Sequence, residues 1–219
     1  MSIQTAPMPP MTTAAPAKLE SPSTNGIPSE SEGPKPLRWT REEYYRLAET
    51  GFFANRRVML IEGVVYVMCP QNEPHVQGII HAREILEAAF GRQFTCRTQS
   101  PLFLNQTTDP EPDVAMVPGP SRSQPKTPPT TALLVVEVAD TSLFYDAGDK
   151  ASLYAAGGIA DYWVVDINHG QLIVFRDPRP DPTAKFQHSY FQRTILTRGE
   201  SVAPLAVPNN PVAVNDLLP

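Results

Sequence analysis

"LLVVEVAD" (residues 133–140) reads as a buried strand with an acid inside it. Leu133, Leu134, Val135, Val136 and Val138 form a nearly unbroken apolar run, which a fully covered strand requires. Glu137 interrupts that run. Taking a lone carboxylate out of water costs several kcal/mol or more unless something pairs with it. Whatever holds Glu137 therefore bears on both the fold and the chemistry.

Outward from that strand, the chain alternates strands and helices. Upstream, "PDVAMV" (112–117) and "FTCRTQSPLFLN" (94–105) read as strands, separated from 133 by the Pro-rich loop "PGPSRSQPKTPPTT". Residues 73–91 carry apolar side chains at 76, 79, 80, 86, 89 and 90 and close on Gly91, which predicts a helix. "RVMLIEGVVYVM" (57–68) predicts a β-hairpin turning at Glu62-Gly63. "WTREEYYRLAE" (39–49) carries a helix start, with Thr40 as N-cap and Glu43 as its capping-box partner. Downstream, residues 146–156 predict a helix ended by Gly157-Gly158. "DYWVVDI" (161–167) and "QLIVFR" (171–176) predict a strand pair around Asn168-His169-Gly170, and "SYFQRTILT" (189–197) a last strand before a Pro-rich end. Strand, helix, strand in the central third gives an α/β or α+β class, a sheet flanked by helices. No internal repeat is visible.

Residues 1–36 are Pro, Ser, Thr and Ala with scattered charge, too poor in apolar surface to offset their own ordering entropy, so a disordered tail is expected there and a single domain over 37–219. Hydrophobic residues make up 41% of the 219, enough for an ordinary globular core. The net charge of -5 gives no global attraction to nucleic acid, so such a partner must be met by a local basic patch or by bound cations. Cys69 and Cys96, both in segments read as strands, are expected to be buried, reduced thiols rather than a disulfide. No CxxC or HExxH motif is present, and no apolar stretch approaches the roughly 20 residues that span a bilayer. The N-terminus lacks a basic start and apolar middle, which points to a soluble, cytoplasmic protein.

Chemistry concentrates on three acids and a lysine. Asp113 follows Pro112 at a strand start, Glu137 lies within a strand, and Asp146 and Lys150 share one helix face with Tyr154 a turn further on. If the strands of Asp113 and Glu137 are neighbours, their carboxylates converge, and two such acids stay ionised cheaply only around a cation. Carboxylates with water are the ligand set of magnesium. A nearby ammonium can orient water or stabilise charge on a phosphate. Structural readings stand beside this one. Pro-Asp is common turn chemistry, Asp146 with Lys150 fits a solvated helix pair of ~0.3 kcal/mol, and Glu137 with Lys150 fits a buried ion pair.

The stretches "EVADTSLFYDAGDKASLYAAGGIADYWVVD", "PEPDVAMV" and "IEGVVYVMCPQNEPH" resemble the Uma-two endonuclease family, within the restriction-endonuclease-like, PD-(D/E)XK nuclease superfamily, over about residues 39–177. The resemblance implies a mixed central sheet flanked by helices, with an N-terminal hairpin. It matches Asp113 to the family's Pro-Asp acid and Glu137 to its second acid, the two that would hold Mg2+ or Mn2+. The superfamily's lysine usually lies two residues after that glutamate, where this chain has Ala139; the Uma-two pattern carries it on the next helix, matched by Lys150. Asp146 and Tyr154 fit as supporting groups and His75 matches a position ahead of a helix. Where the family commonly has a glutamate before Leu-Ile-Asp-Gly, this chain has Met59, with Glu62 in the turn. Gln99 either faces the site or the surface, and His75 either serves the site or caps its helix.

The implied function is a magnesium-dependent DNA endonuclease: Asp113 and Glu137 on the metal, Lys150 on the attacking water or transition state, and a homodimer to cut two strands. The alternative is a catalytically weak nuclease-fold module that binds nucleic acid or protein, to which Met59 lends weight.

Overall fold

The computed structural model describes residues 34–219; the segment expected to be a disordered tail, 1–36, lies outside the described residues except for its last three. Helix α1 (Arg41–Glu49) starts at Thr40, whose hydroxyl accepts from the Glu43 backbone while the Glu43 carboxylate accepts from the Thr40 N–H at 2.9 Å. This is the capping box expected from the sequence. Strands β1 (Val58–Ile61) and β2 (Val64–Val67) form the separate hairpin. Its two turn residues, Glu62 and Gly63, both have positive φ (47° and 74°), the tight turn whose twist suits a two-residue hairpin.

Helix α2 (Glu73–Phe90) is capped by Asn72, which accepts from the His75 N–H, and ends at Gly91. The main sheet has six strands in spatial order β3-β4-β5-β6-β7-β8. They are β3 (Phe94–Thr98), β4 (Val114–Pro118), β5 (Leu134–Ala139), β6 (Asp161–Asp166), β7 (Gln171–Pro180) and β8 (His188–Thr197). All neighbours are antiparallel except β5 and β6, so the sheet is mixed. Between β5 and β6 the chain crosses over through α3 (Leu143–Tyr145), a π-helical turn (Asp146–Lys150) and α4 (Ala151–Ala156). β5 and β6 are buried along their whole length, as a parallel pair covered on both faces must be.

Alternation sorts the sheet's side chains into two cores. Val114, Met116, Leu134, Val136, Val138, Trp163 and Val165 pack with Leu86 and Phe90 of α2. Ala115, Val117, Val135, Ala139, Tyr162 and Val164 pack with Tyr154 of α4. Glu137 has the parity of Val135 and Ala139, so the pleat turns it toward α4.

Several boundaries differ from the sequence reading. β3 stops at Thr98 because Gln99 takes a left-handed φ of 45° and Pro101 follows. The helix expected over 146–156 begins earlier and carries a π turn. The Pro-rich end folds: β9 (Ser201–Val202), β10 (Val212–Ala213) and α5 (Val214–Leu217) follow, and Val214, Leu217 and Leu218 enter the α2-side core. Both cysteines are free, but Cys69 lies past the end of β2 and is exposed, and Cys96 is only half-buried. No helix among the described residues is long and apolar enough to cross a membrane.

Gly78 sets how closely α2 approaches β5. A Cβ there would meet Val138 Cγ1 at 2.7 Å. Alanine would gain up to about 1 kcal/mol in helix propensity, while overpacking a rigid β-branched neighbour costs about 1–3 kcal/mol. Gly78→Ala is therefore expected to be destabilising by about 1 kcal/mol, read as a lower urea midpoint with an unchanged slope.

Candidate active site

The register of β4 on β5 pairs Val114 with Val136, so Asp113 and Glu137 come next, facing each other across the end of the ladder. The Asp113 N–H points at Glu137 Oε2 (3.4 Å), and Asp113 Oδ2 accepts from the Val138 N–H (2.9 Å). The two acids belong to adjacent strands and converge. From the crossover, Lys150 Nζ reaches Glu137 Oε2 at 3.0 Å and Asp146 Oδ1 at 2.9 Å. Tyr154 donates its hydroxyl to Glu137 Oε1 at 2.7 Å. The π turn places Asp146 and Lys150 together; such bulges recur at functional sites.

Asp146 is buried and held from three directions. Its carbonyl accepts from the Tyr162 hydroxyl at 2.8 Å, and Ser142 donates to its Oδ2. Its Oδ1 touches the Lys150 ammonium and has no other donor among the described residues. His75, at the start of α2, places Nε2 3.3 Å from Asp113 Oδ1.

The electrostatics follow from three carboxyls around one ammonium. Burial first, then the nearby Asp113 and Asp146, drive the Glu137 carboxyl up to about 8 against the opposing pull of the Lys150 ammonium. Burial disfavours the Lys150 ammonium, yet Glu137, Asp146 and Asp113 together raise its pKa. Burial also raises the Asp113 carboxyl, but the His75 hydrogen bond and Lys150 outweigh it and hold the group below the usual range. The Asp113 hydrogen bond in turn raises His75.

Some of these groups open onto a cleft of about 250 Å³, while Glu137 and Tyr154 sit buried behind them and do not line it. Asp113, His75, Asp146 and Lys150 line it, and so do Glu111, Arg57 and Met59. Glu111 was missed by the sequence reading. It lies two residues before Asp113, and in extended chain that spacing puts both on one side. Arg57 is 3.4 Å from it. Glu62 and Gln99 are not brought into the cleft. Glu62 stands exposed in its turn, with its N–H on Thr108 Oγ1 at 3.2 Å. Gln99 acts through its backbone, whose N–H reaches the Pro112 and Asp113 carbonyls at 3.1 Å, and its Nε2 is buried without a partner among the described residues.

The donor set suits a hard cation with few protein ligands. No group of three or more His, Cys, Asp or Glu side chains among the described residues forms a ready metal cage. Magnesium, however, is commonly held by one or two carboxylates with water and substrate phosphate completing the shell. Asp113, Glu137 and Asp146 outnumber Lys150, and Asp146 Oδ1 keeps unused acceptor capacity.

No curated protein matches the chain. A solved structure from Anabaena variabilis, described as "a putative nuclease belonging to DUF820", superimposes with a TM-score of 0.61 at 12% identity, covering 83% of this chain and 97% of that one. At that identity it speaks for the fold, a mixed sheet flanked by helices. The model of the Uma2 family, described as "Putative restriction endonuclease", matches residues 41–210, a span that holds the hairpin, the sheet and every residue of the cleft. The chain belongs to the Uma2 family.

Proposed function

We propose that this protein is a metal-dependent DNA endonuclease that hydrolyses phosphodiester bonds at the Asp113–Glu137–Lys150 cluster. The observation that carries the reading is the meeting of two strand acids with a helix ammonium beside an open cleft, lined by Asp113 and Lys150 with Glu137 buried behind them. Asp113 and Glu137 would hold Mg2+ or Mn2+, with Asp146 close enough to share the load. Such an ion, when bound, supplies charge neutralisation at the scissile phosphate and a more acidic water.

This chain's own residues do the rest. Lys150 presents its ammonium toward a non-bridging phosphate oxygen and the incoming water. Asp146 and Tyr154 aim it, one through the ammonium and the other through Glu137, which Tyr154 keeps from rotating. His75 steadies Asp113. Cutting both strands of a duplex calls for a second copy, and a homodimer is part of the reading.

The test is nicking of supercoiled plasmid with Mg2+ or Mn2+, wild type beside Glu137→Gln. The variant is expected to nick roughly 10–100-fold more slowly. Equal rates for the two proteins would place the activity elsewhere.

A further inference from the structure

The cleft's lining is of two kinds: the acids with Lys150, and an apolar and aromatic part made by Met59, Tyr66, Val67 and Met68 of the hairpin and by Tyr145, whose ring lies 5.6 Å from the Lys150 ammonium. β2 leaves its second half uncovered, with Tyr66 39% and Val67 64% exposed at the cleft, and Phe144, next to Tyr145, is 94% exposed. Met59 lines the same part of the cleft as Tyr66, its partner across the hairpin.

Charge argues against a duplex as the preferred ligand. Glu111, Asp113, Asp140 and Asp146 face the cleft against Arg57 and Lys150, and both cations already have carboxylate partners. Duplex binding draws heavily on phosphate contacts made by free cations. Single strands are bound differently: bases lie on aromatic faces, which add affinity that does not depend on phosphate charge. The cleft volume of about 250 Å³ lies below the roughly 300–1,000 Å³ of drug-sized sites, so it suits one nucleotide unit.

Resting on the nuclease reading, we infer that the substrate is unpaired DNA, one nucleotide entering the cleft with its base against Tyr66 and Met59 and its phosphate at Lys150. Supercoiled plasmid, which exposes transient single strands, is then a better substrate than relaxed plasmid.

The test uses the full chain with one labelled oligonucleotide carrying 2-aminopurine, offered as a single strand, as a duplex and as a duplex with a central bulge, in Mg2+ and in Mn2+. Cleavage of the single strand and the bulge is expected at least about tenfold above the duplex in kcat/KM, with the 2-aminopurine emission quenched on binding. Tyr66→Ala, a truncation at a partly exposed site, and Met59→Glu should each remove most of that preference, chiefly through KM. Equal cutting of duplex and single strand, or a preference that both variants keep, overturns the inference and leaves the nuclease reading intact. Selective quenching by single strands without cleavage overturns the nuclease reading, and with it unpaired DNA as a substrate, and leaves the cleft a single-strand binding site. Neither binding nor cleavage of any probe overturns both. Self-association in sedimentation velocity that Tyr66→Ala abolishes would give the apolar lining to a second copy and also overturn the inference.

Discussion

Replacing Lys150 with methionine will slow plasmid nicking by roughly 10²–10³-fold and lower stability by about 3–5 kcal/mol. The activity loss follows from removing the ammonium that would face the phosphate. The stability loss follows from leaving Glu137 and Asp146, both almost fully buried, without their shared counter-charge. Glu137 answers by taking up a proton. Its carboxyl is already raised, so the native state binds that proton more tightly than the unfolded chain does. Stability from that proton is complete below the unfolded carboxyl's range and drains away as pH rises through the folded value. The variant raises the folded value further, so its deficit against wild type should stay nearly level from about pH 5 to about pH 7 and widen as pH rises past about 8, the wild-type value. Urea unfolding across that range checks the sign. Adding Glu137→Gln to Lys150→Met should recover much of the stability and none of the nicking. A double variant no more stable than Lys150→Met would show that the ion pair is not what the fold depends on there.

The second large effect lies away from the cleft. Asp161, fully buried at the start of β6, accepts from Arg176 Nε (2.8 Å), from Trp163 Nε1 (2.8 Å) and from the Leu205 N–H (2.8 Å). Arg176 also donates to the Ala203 carbonyl at 2.7 Å. One carboxylate thus ties β6 and β7 to the segment that carries β9, β10 and α5. Asp161→Ala strands a largely covered guanidinium and an indole N–H, and is expected to cost about 3–5 kcal/mol. For a chain of this size that is roughly 10 °C in Tm. Asp161→Asn keeps an acceptor for the indole and should lose about half as much. Limited proteolysis should cut Asp161→Ala first between Ala203 and Pro211, with the sheet cut later. Simultaneous loss of both regions would contradict the tie.

Much of this was legible in the sequence, for identifiable reasons. Thr40 with Glu43, Glu62-Gly63 and Gly91 are local signals, and the elements they bound stand where the residues put them. An acid inside a valine run announces its own importance and points to Lys150 as a partner, whereas Tyr154 is legible only through helix spacing and the family resemblance. What depended on tertiary placement was hidden. Glu111 becomes a cleft residue only because β1 brings Met59 and Arg57 alongside it. Glu62 cannot stand in for the acid missing at position 59, since its turn conformation sends it to solvent. The segment after β8 looked like a Pro-rich end because its strands are two residues long and its helix four, too short for any periodicity to show.

β4 and β5 share only three ladder pairs, and apart from Glu137 both are apolar on either face. Hydrophobic pattern alone would tolerate sliding one against the other, because valine would replace valine. The acids forbid it. A slip of one residue would take the Asp113 N–H from Glu137 Oε2 and the Val138 N–H from Asp113 Oδ2, and would leave Glu137 facing Val114 or Pro112. The cluster that would cut a phosphodiester is thus also the key that admits a single alignment of β4 on β5, and a chain stripped of it could fold into more than one.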